Sequence, residues 1–239
     1  MYKNKKILAL IPARAGSKGL PGKNIKIIAG KPLIEWSIIQ AKNSKYVDLV
    51  AVTTDGDEIV DIAEASGTVA IKRPVELAED NSPTSQAVNH ALIELEKNDT
   101  FDYIILLEPT SPLRGIYDID NAIVDLVDNF DKADSLVSLG LVQLEHPDIV
   151  KDIDNLGYVK SYVGHSKSIT RRQQYDKAYF PYGVIYMAKV GVYKNQQTFY
   201  TDRTIPYFIE RWQNYEIDDQ LDFDIVDMIM KGRGGFFNG

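Results

Sequence analysis

The sequence contains no cysteine and only three histidines among its 239 residues. Without cysteine the chain cannot form disulfides or thiolate metal sites, which suits a reducing cytoplasm. Near the N-terminus no long hydrophobic run occurs either, because the apolar run of residues 7–11 ends at Pro12 and Arg14. This run is too short for the core of a signal peptide or for a membrane span. We therefore expect a first buried strand here and no membrane partner.

The chain also has fewer basic than acidic residues. Lysine and arginine number 27 against 34 acidic residues, which gives a formal net charge of −7. This balance argues against a general electrostatic grip on nucleic acid, so any anion must be bound by a local cluster of cations. The hydrophobic content of 44% and the charged content of 26% are those of a folded protein rather than a disordered one.

Apolar, strand-like runs alternate with segments of helical period along most of the chain. Strands are predicted at residues 7–11, 49–55, 68–74, 102–110 and 134–140, and helices at residues 31–44, 57–67, 82–98, 116–130 and 219–233. This alternation is typical of a parallel sheet covered on both faces. Residues 104–107 are consecutively apolar, which predicts a strand in the middle of that sheet.

Between residues 141 and 179 the helical period disappears. Residues 141–164 indicate short antiparallel strands joined by an Asn-Leu-Gly turn. The α/β pattern returns at residues 183–189 and 214–218. We therefore expect a core of residues 1–140 and 180–239 and an inserted arm of residues 141–179, which acts as a lid, a dimerisation arm or both.

The segment RAGSKGLPGKN, residues 14–24, follows the first predicted strand and combines glycines with cations. Its glycines are Gly16, Gly19 and Gly22, and its cations are Arg14, Lys18 and Lys23. Glycines permit positive φ and let backbone amides converge on an anion, and the cations add charge at a phosphate chain. Because ligands bind at the carboxyl ends of parallel strands, we predict an anion site here. The spacing matches neither a Walker A loop nor G-x-G-x-x-G.

A second group of charges lies near the C-terminus, in the segment NYEIDDQLDFD. Glu216 and Asp218 are separated by one residue, so at the end of a strand both carboxylates would point to the same side. Paired carboxylates suit Mg²⁺, which also takes phosphate oxygens and water. We expect Asp219, Asp222 and Asp224 to cap or solvate the last helix instead.

Five segments, in chain order, resemble the signature motifs of the acylneuraminate cytidylyltransferases, the CMP-sialic acid synthetases. They are IPARAGSKGLPGKN, KRPVEL, LLEPTSPLR, FPYGVIY and YEIDDQLDF, and together they extend over nearly the whole chain. The resemblance implies a three-layer α/β fold with a mostly parallel sheet, of the nucleotide-diphospho-sugar transferase-like (Rossmann-like) type, with a small β-rich dimerisation excursion. It also implies an enzyme that couples CTP to a nine-carbon α-keto acid sugar and releases pyrophosphate.

The resemblance carries over to individual residues on the nucleotide side. Arg14, Lys18 and Lys23 would hold the triphosphate and, with Asp218, carry the catalysis. The other positions that the resemblance assigns to the nucleotide are Ala13, Gly16, Ser17, Asn24, Arg73, Ser82 and Thr84. Ser82 is also a candidate N-cap of the helix predicted at residues 82–98.

On the sugar side the resemblance implicates Glu108, Arg172, Phe180 and Tyr182. Glu108 stands where the family usually has glutamine. Because the sugar itself carries a carboxylate, we expect Glu108 to contact hydroxyl or amide donors elsewhere on the sugar, or to stay protonated. Arg172 is expected near the sugar carboxylate, with Arg171 as an alternative partner.

The resemblance further implies Mg²⁺ on Glu216 and Asp218, and a homodimer in which the inserted arm reaches the partner's active site. The acceptor stays open among N-acetylneuraminate, legionaminate, pseudaminate and other keto acids. Kdo is less favoured, because Kdo-activating relatives differ in the opening motif.

Two other classes of protein fit the sequence less well. A glycosyltransferase that consumes a nucleotide-sugar would need an Asp-x-Asp after a central strand, and TTDGD at residues 53–57 follows only the second predicted strand. A non-catalytic nucleotide-binding regulator is disfavoured because the chain has both the cations and the carboxylates.

Overall fold

The structure is a computed structural model that describes residues 1–79, 81–162 and 175–233. The strands within these ranges are β1 (Ile7–Pro12), β2 (Ile27–Ile28), β3 (Lys31–Pro32), β4 (Leu49–Thr54), β5 (Val69–Lys72), β6 (Tyr103–Leu106), β7 (Ser135–Leu141), β8 (Lys151–Ile153), β9 (Val159–Ser161), β10 (Tyr179–Lys189) and β11 (Thr204–Phe208). The helices are α1 (Leu33–Asn43), α2 (Asp57–Ala65), α3 (Thr84–Leu95), α4 (Asp118–Asp128), α5 (Val190–Gln196) and α6 (Gln220–Gly232).

Seven strands form one central sheet in the order β11-β7-β10-β6-β1-β4-β5. All neighbouring pairs are parallel except the two that β10 makes, which are antiparallel. Alternate residues of β1 enter different hydrophobic clusters on the two faces of the sheet. Ala9 packs in the cluster that contains residues of α1, α2 and α4, and Leu10 packs in the cluster with residues of α3 and α5. The predicted three-layer, mostly parallel α/β fold is therefore confirmed.

The antiparallel direction of β10 follows from its connection. Strand β7 ends at Leu141, the chain continues into the inserted arm, and β10 begins at Tyr179 directly opposite Leu141. Antiparallel neighbours need no crossover helix, so the arm extends from the tip of what is otherwise a long hairpin. The register of this pair shifts between Pro181 and Tyr186, at the place where β10 passes the end of β6. The predicted antiparallel strands of the arm are β8 and β9, which are joined through Gly157 at φ 84°.

Several details differ from the sequence-based expectations. Strand β11, helix α5 and the two-residue strands β2 and β3 were not predicted. Helix α3 begins at Thr84 after Pro83, and Ser82 does not cap it, because its hydroxyl donates a hydrogen bond to the carbonyl of Glu76 instead. Residues 214–218 do not form a strand: they follow a 3₁₀ turn (Arg211–Gln213), and the amide of Ile217 donates to Thr110 in the loop after β6.

No helix in the three described ranges is both long enough and apolar enough to cross a membrane.

The fully buried Arg114 connects helix α1 with the end of β6 and with β10. The guanidinium of Arg114 donates to Ser37 and Gln40 of α1, and also to three backbone carbonyls, those of Glu108, Gly183 and Val184. Burial lowers the pKa of Arg114 to about 10, which still leaves it charged at neutral pH. Since five acceptors satisfy its donors, the end of β6 and the irregular part of β10 are held against α1.

We predict that Arg114→Met lowers the free energy of unfolding by about 3 kcal/mol or more, because three buried carbonyls lose their donor while the side-chain volume is nearly kept. Urea unfolding measures the change. Arg203→Met is the matched control: Arg203 also donates to backbone carbonyls, but its side chain is 46% exposed, so we expect a loss below about 1 kcal/mol. Equal losses in the two variants would contradict this assignment.

Candidate active site

The carboxyl ends of β1, β5 and β6 open into a cavity of about 370 Å³, here called the main cavity. Pro12 ends β1, Arg73 directly follows β5, and Glu108 lies just after β6. The first turn of α3 closes one side and Asp218 closes another. This is the edge of an open parallel sheet where ligands bind.

Hydrogen bonds hold the opening loop at both of its ends. The buried Ala13 donates its amide to the carbonyl of Thr53, and the buried Asn24 donates its side-chain amide to the carbonyl of Arg14 at 2.9 Å. Gly22 has φ 65° and precedes a 3₁₀ turn (Lys23–Ile25), so a positive φ is required here as predicted. Asn24 thus uses its amide donor to shape the loop.

Gly19 has a different role from the predicted one. Its φ is not positive, but a Cβ at this position would overlap the carbonyl oxygen of Asp218. The absent side chain therefore lets the loop touch the acidic segment. Gly16 has neither a positive φ nor a neighbour within 4 Å of an added Cβ, so nothing in its surroundings requires glycine.

Three cations of the predicted set line the main cavity: Arg14, Lys23 and Arg73. The ammonium of Lys23 is buried and donates to the carbonyl of Ile217 at 2.5 Å and to Asp218 Oδ1 at 3.3 Å. Arg73 is 7% exposed, and its Nε has no hydrogen-bond partner among the residues that the structure describes. Burial lowers the pKa of Arg73, the nearby Arg14 lowers it further, and Asp55 at 3.9 Å opposes both effects. An unsatisfied buried donor close to a second cation suits an anionic ligand.

Some of the other residues that we predicted to bind the nucleotide line the main cavity, and some do not. Ser17, Asn24, Ser82 and Thr84 also line the main cavity. Lys18 is exposed and lies outside its lining, although it is in the same loop. The loop therefore does not direct all three of its cations to one place.

Glu216 and Asp218 lie on either side of the buried Ile217 in the sequence, and their carboxylates have different surroundings. Asp218 is 85% exposed in its side chain and lines the main cavity next to Lys23. Glu216 is not part of that lining, and its Oε1 accepts hydrogen bonds from the hydroxyl of Ser111 and the amide of Gly183. The predicted pair is thus only partly brought together. Within the described ranges no group of three or more acidic or histidine side chains forms a ready metal cluster.

Glu108 lies between the main cavity and the interior. Burial first, and then the charges of Glu216 and Asp218, raise the pKa of its carboxyl to about 7, while Arg114 and Lys23 oppose this increase. Its Oε2 packs so closely on Gly183 that a Cβ there would overlap it. Of the two expectations for Glu108, contact with donors on the sugar or a protonated carboxyl, the raised pKa favours the second.

The predicted sugar-side aromatics lie in a neighbouring cavity of about 440 Å³. The rings of Phe180 and Tyr182 pack with their centroids 4.9 Å apart, and they face residues at the base of the inserted arm, among them Leu144. Arg172 and its alternative Arg171 lie outside the described residues.

Sequence reasoning missed a third cavity, of about 190 Å³, which we call the aromatic pocket. It shares Thr84 and Glu108 with the main cavity, and its wall contains Tyr186, Phe199 and Tyr200. Phe199 and Tyr200 follow α5, a helix that the sequence pattern did not reveal. Ser111, Arg114 and Gly183 were also missed as supports of the two glutamates, although the first two belong to the LLEPTSPLR motif.

These features define an α/β nucleotide-binding protein of the open-sheet type with a cationic cavity at its strand ends. Residues 8–232 match the family model described as Cytidylyltransferase, and the chain belongs to this family. Over 230 residues it is 34% identical to a CMP-N,N'-diacetyllegionaminic acid synthase of Legionella pneumophila, covering 95% of this chain and 97% of that protein.

The chain is also 33% identical, over 91% of its length, to an N-acylneuraminate cytidylyltransferase of Streptococcus agalactiae, of which it spans 52%. It thus spans about half the length of that relative. A solved CMP:2-keto-3-deoxy-manno-octonic acid synthetase complexed with CTP superposes with a TM-score of 0.69 over 95% of this chain and 99% of that one. At 19% identity this likeness supports the fold alone.

We predict that Gly19→Ala lowers the melting temperature by several degrees, because the added methyl pushes the loop away from the carbonyl of Asp218. Gly16→Ala is the matched control in the same loop and should change the melting temperature by no more than about 1 °C. Thermal unfolding followed by circular dichroism measures both. An equal effect of the two substitutions would rule out the close approach as the reason for Gly19.

We predict a pH-dependent effect of Glu108→Gln on stability. Because the pKa of Glu108 is raised from 4.5 to about 7, the native state binds this proton more tightly than the unfolded chain does. The resulting stabilisation is complete below pH 4.5 and is lost as the pH rises through 7. The free energy of unfolding of Glu108→Gln, taken relative to wild type, should therefore be roughly 2 kcal/mol higher at about pH 8 than at about pH 5.

Urea unfolding at the two pH values, without nucleotide or divalent cation, measures this gain. Glu79→Gln removes an exposed carboxylate that lines the same cavity, and its effect should be equal at the two pH values. A gain for Glu108→Gln that does not depend on pH would contradict the prediction.

Proposed function

We propose that the chain is a cytidylyltransferase that joins CTP to a nine-carbon α-keto acid sugar, giving a CMP-sugar and pyrophosphate. The observation that carries this proposal is the convergence of Arg14, Lys23 and Arg73 on one cavity at the strand ends of a chain in the Cytidylyltransferase family. The names of its relatives, an N-acylneuraminate cytidylyltransferase and a CMP-N,N'-diacetyllegionaminic acid synthase, support an acidic sugar as acceptor.

In this reaction the anomeric hydroxyl of the sugar attacks the α-phosphate of CTP, the bond between the α- and β-phosphates breaks, and pyrophosphate leaves. Such chemistry depends on positioning and charge neutralisation more than on a covalent role for the protein. Arg14 and Lys23 hold the triphosphate, and the unsatisfied Nε of Arg73 offers a further donor. Lys18, which is exposed, would have to swing inward to take part.

Mg²⁺ is part of the proposal. The exposed carboxylate of Asp218 lines the cavity beside Lys23, and a single carboxylate together with phosphate oxygens and water is a donor set that Mg²⁺ accepts. Glu216 is the second carboxylate, and Ser111 and Gly183 hold one of its oxygens. When bound, the ion would polarise the α-phosphate and lower the pKa of the attacking hydroxyl.

A homodimer is also proposed, with the inserted arm as its contact. Within the described part of the arm, large apolar side chains are strongly exposed: Leu156 is 80% exposed and Tyr162 is 70% exposed. The cavity of Phe180 and Tyr182 lies at the base of the arm, which supports a sugar site completed near the dimer contact. Sedimentation analysis that finds only a monomer at assay concentration would remove this part of the proposal. The absence of cysteine supports a cytoplasmic location.

The alternative of a glycosyltransferase is weakened by the contacts of TTDGD. Asp55 accepts a hydrogen bond from the amide of Ala15 at 2.9 Å and lies near Arg73, and Asp57 pairs with Lys72. Both carboxylates are therefore engaged with the chain itself instead of forming a metal site.

The deciding experiment is incubation of the protein with CTP, Mg²⁺ and each of N-acetylneuraminate, legionaminate and pseudaminate, with pyrophosphate as the readout. Release with at least one sugar supports the proposal and identifies the acceptor. If no nine-carbon keto acid gives release, the proposal fails.

We predict that Lys23→Met and Asp218→Asn each lower kcat/KM by about 100-fold or more, because each removes a charge from the place where the triphosphate charge must be balanced. The control is Asp224→Asn, which removes the same charge from an exposed site on α6 where Asp224 accepts a hydrogen bond from Gln220. Steady-state kinetics for this control should stay within about twofold of wild type. Near-normal rates for the first two variants would refute their assigned roles.

A further inference from the structure

The aromatic pocket contains an acidic group that the reaction itself does not need. Its wall is made by the rings of Tyr186, Phe199 and Tyr200, with centroids 5.8 Å apart for Tyr186 and Phe199 and 6.3 Å for Tyr186 and Tyr200. The carboxylate of Glu108 lies where this pocket meets the main cavity. A group of a bound sugar that enters the pocket therefore meets aromatic rings and a carboxylate together.

The carboxylate of Glu108 has no cation of its own among the described residues. The guanidinium of Arg114 donates to the backbone carbonyl of Glu108 and to other backbone carbonyls, and the ammonium of Lys23 is bonded to Ile217 and Asp218. No described side chain donates a hydrogen bond to the Glu108 carboxylate, while Glu216 and Asp218 add negative charge nearby. A ligand that brings a positive charge to Glu108 would therefore meet a carboxylate that no described side chain already pairs.

A carboxylate next to tyrosine rings is an arrangement that binds organic cations. Aromatic faces attract a positive charge, and two carboxylate oxygens accept two parallel N–H donors from a planar cation such as an amidinium or guanidinium. Burial raises the pKa of Glu108, and a bound cation would oppose this effect by favouring the ionised form. A pocket of about 190 Å³ has room for a substituent of a few heavy atoms but not for a whole sugar.

We propose that the sugar acceptor carries a cationic nitrogen substituent, an amidinium or an ammonium group, which binds in the aromatic pocket and pairs with Glu108. This inference rests on the proposed function and names the class of acceptor for it. A neutral amide of the same shape would fill the pocket but leave the carboxylate without a counter-charge. Glu108 is then the residue that selects between acceptors with the same carbon skeleton.

The test compares two nine-carbon α-keto acids that differ in one group, an N-acetyl amide in one and the N-acetimidoyl amidine of the same shape in the other. The amino positions of the sugar are tested in turn, with CTP and Mg²⁺, by pyrophosphate release. For the wild-type protein kcat/KM should favour the amidine by about 10- to 100-fold at one amino position, which is the size of effect expected for a charge-assisted hydrogen-bonded pair.

Glu108→Gln should remove most of this preference or reverse it, because its amide group cannot balance a positive charge. Glu79→Gln is the matched control: it removes a carboxylate from the main cavity but not from the aromatic pocket, so it should keep the preference. Melting temperatures verify that both variants are folded.

A wild-type protein that uses the amide at least as well as the amidine at every position overturns the inference and leaves the proposed function standing. The inference is also overturned if Glu108→Gln keeps the full wild-type preference. Failure to release pyrophosphate with any acceptor, amide or amidine, overturns the proposed function, and the inference with it.

Discussion

The ammonium group of Lys23 joins two segments that are 194 residues apart in the chain, and the candidate active site depends on this contact. Its bond to the carbonyl of Ile217 closes the glycine-containing loop onto the acidic segment, and the absent side chain of Gly19 lets the two backbones meet. Because Asp218 follows Ile217 directly, the same contact places a carboxylate beside the cations of the cavity. A buried ammonium is tolerated here because it has both a carbonyl and a carboxylate as partners.

The hydrogen bonds of the buried Arg114 are a second constraint on the site. Arg114 distributes its donors over α1, the end of β6 and the irregular part of β10, so the positions of Glu108 and Gly183 are set by one side chain. Gly183 in turn donates to Glu216, and Ser111 donates to the same oxygen. Buried polar groups therefore hold the carboxylate of Glu216 and the backbone of Glu108 in defined positions.

Between these two constraints, the chain places an acidic group at the junction of two cavities. Glu108 sits under the combined influence of burial and of Glu216 and Asp218, which favour its protonated form, and of Arg114 and Lys23, which oppose it. Such a carboxyl is poised to respond to its ligand. In the class of acceptor proposed above, a cationic substituent would favour the ionised form of this carboxyl.

The sequence by itself determined every strand of the central sheet except β11, every described helix except α5, the loop that combines glycines with cations, and the presence of a β-rich arm, because hydrophobic period and glycine positions are local signals. It also identified Lys23 and Asp218 as candidate residues of the active site. Only the tertiary structure decided that Lys18 lies outside the cavity, that Glu216 is turned toward Ser111 and Gly183, and that Tyr186, Phe199 and Tyr200 surround one side of Glu108. The physical reason is the same in each case: these arrangements arise from packing between segments far apart in the chain, and no local pattern records which of them meet.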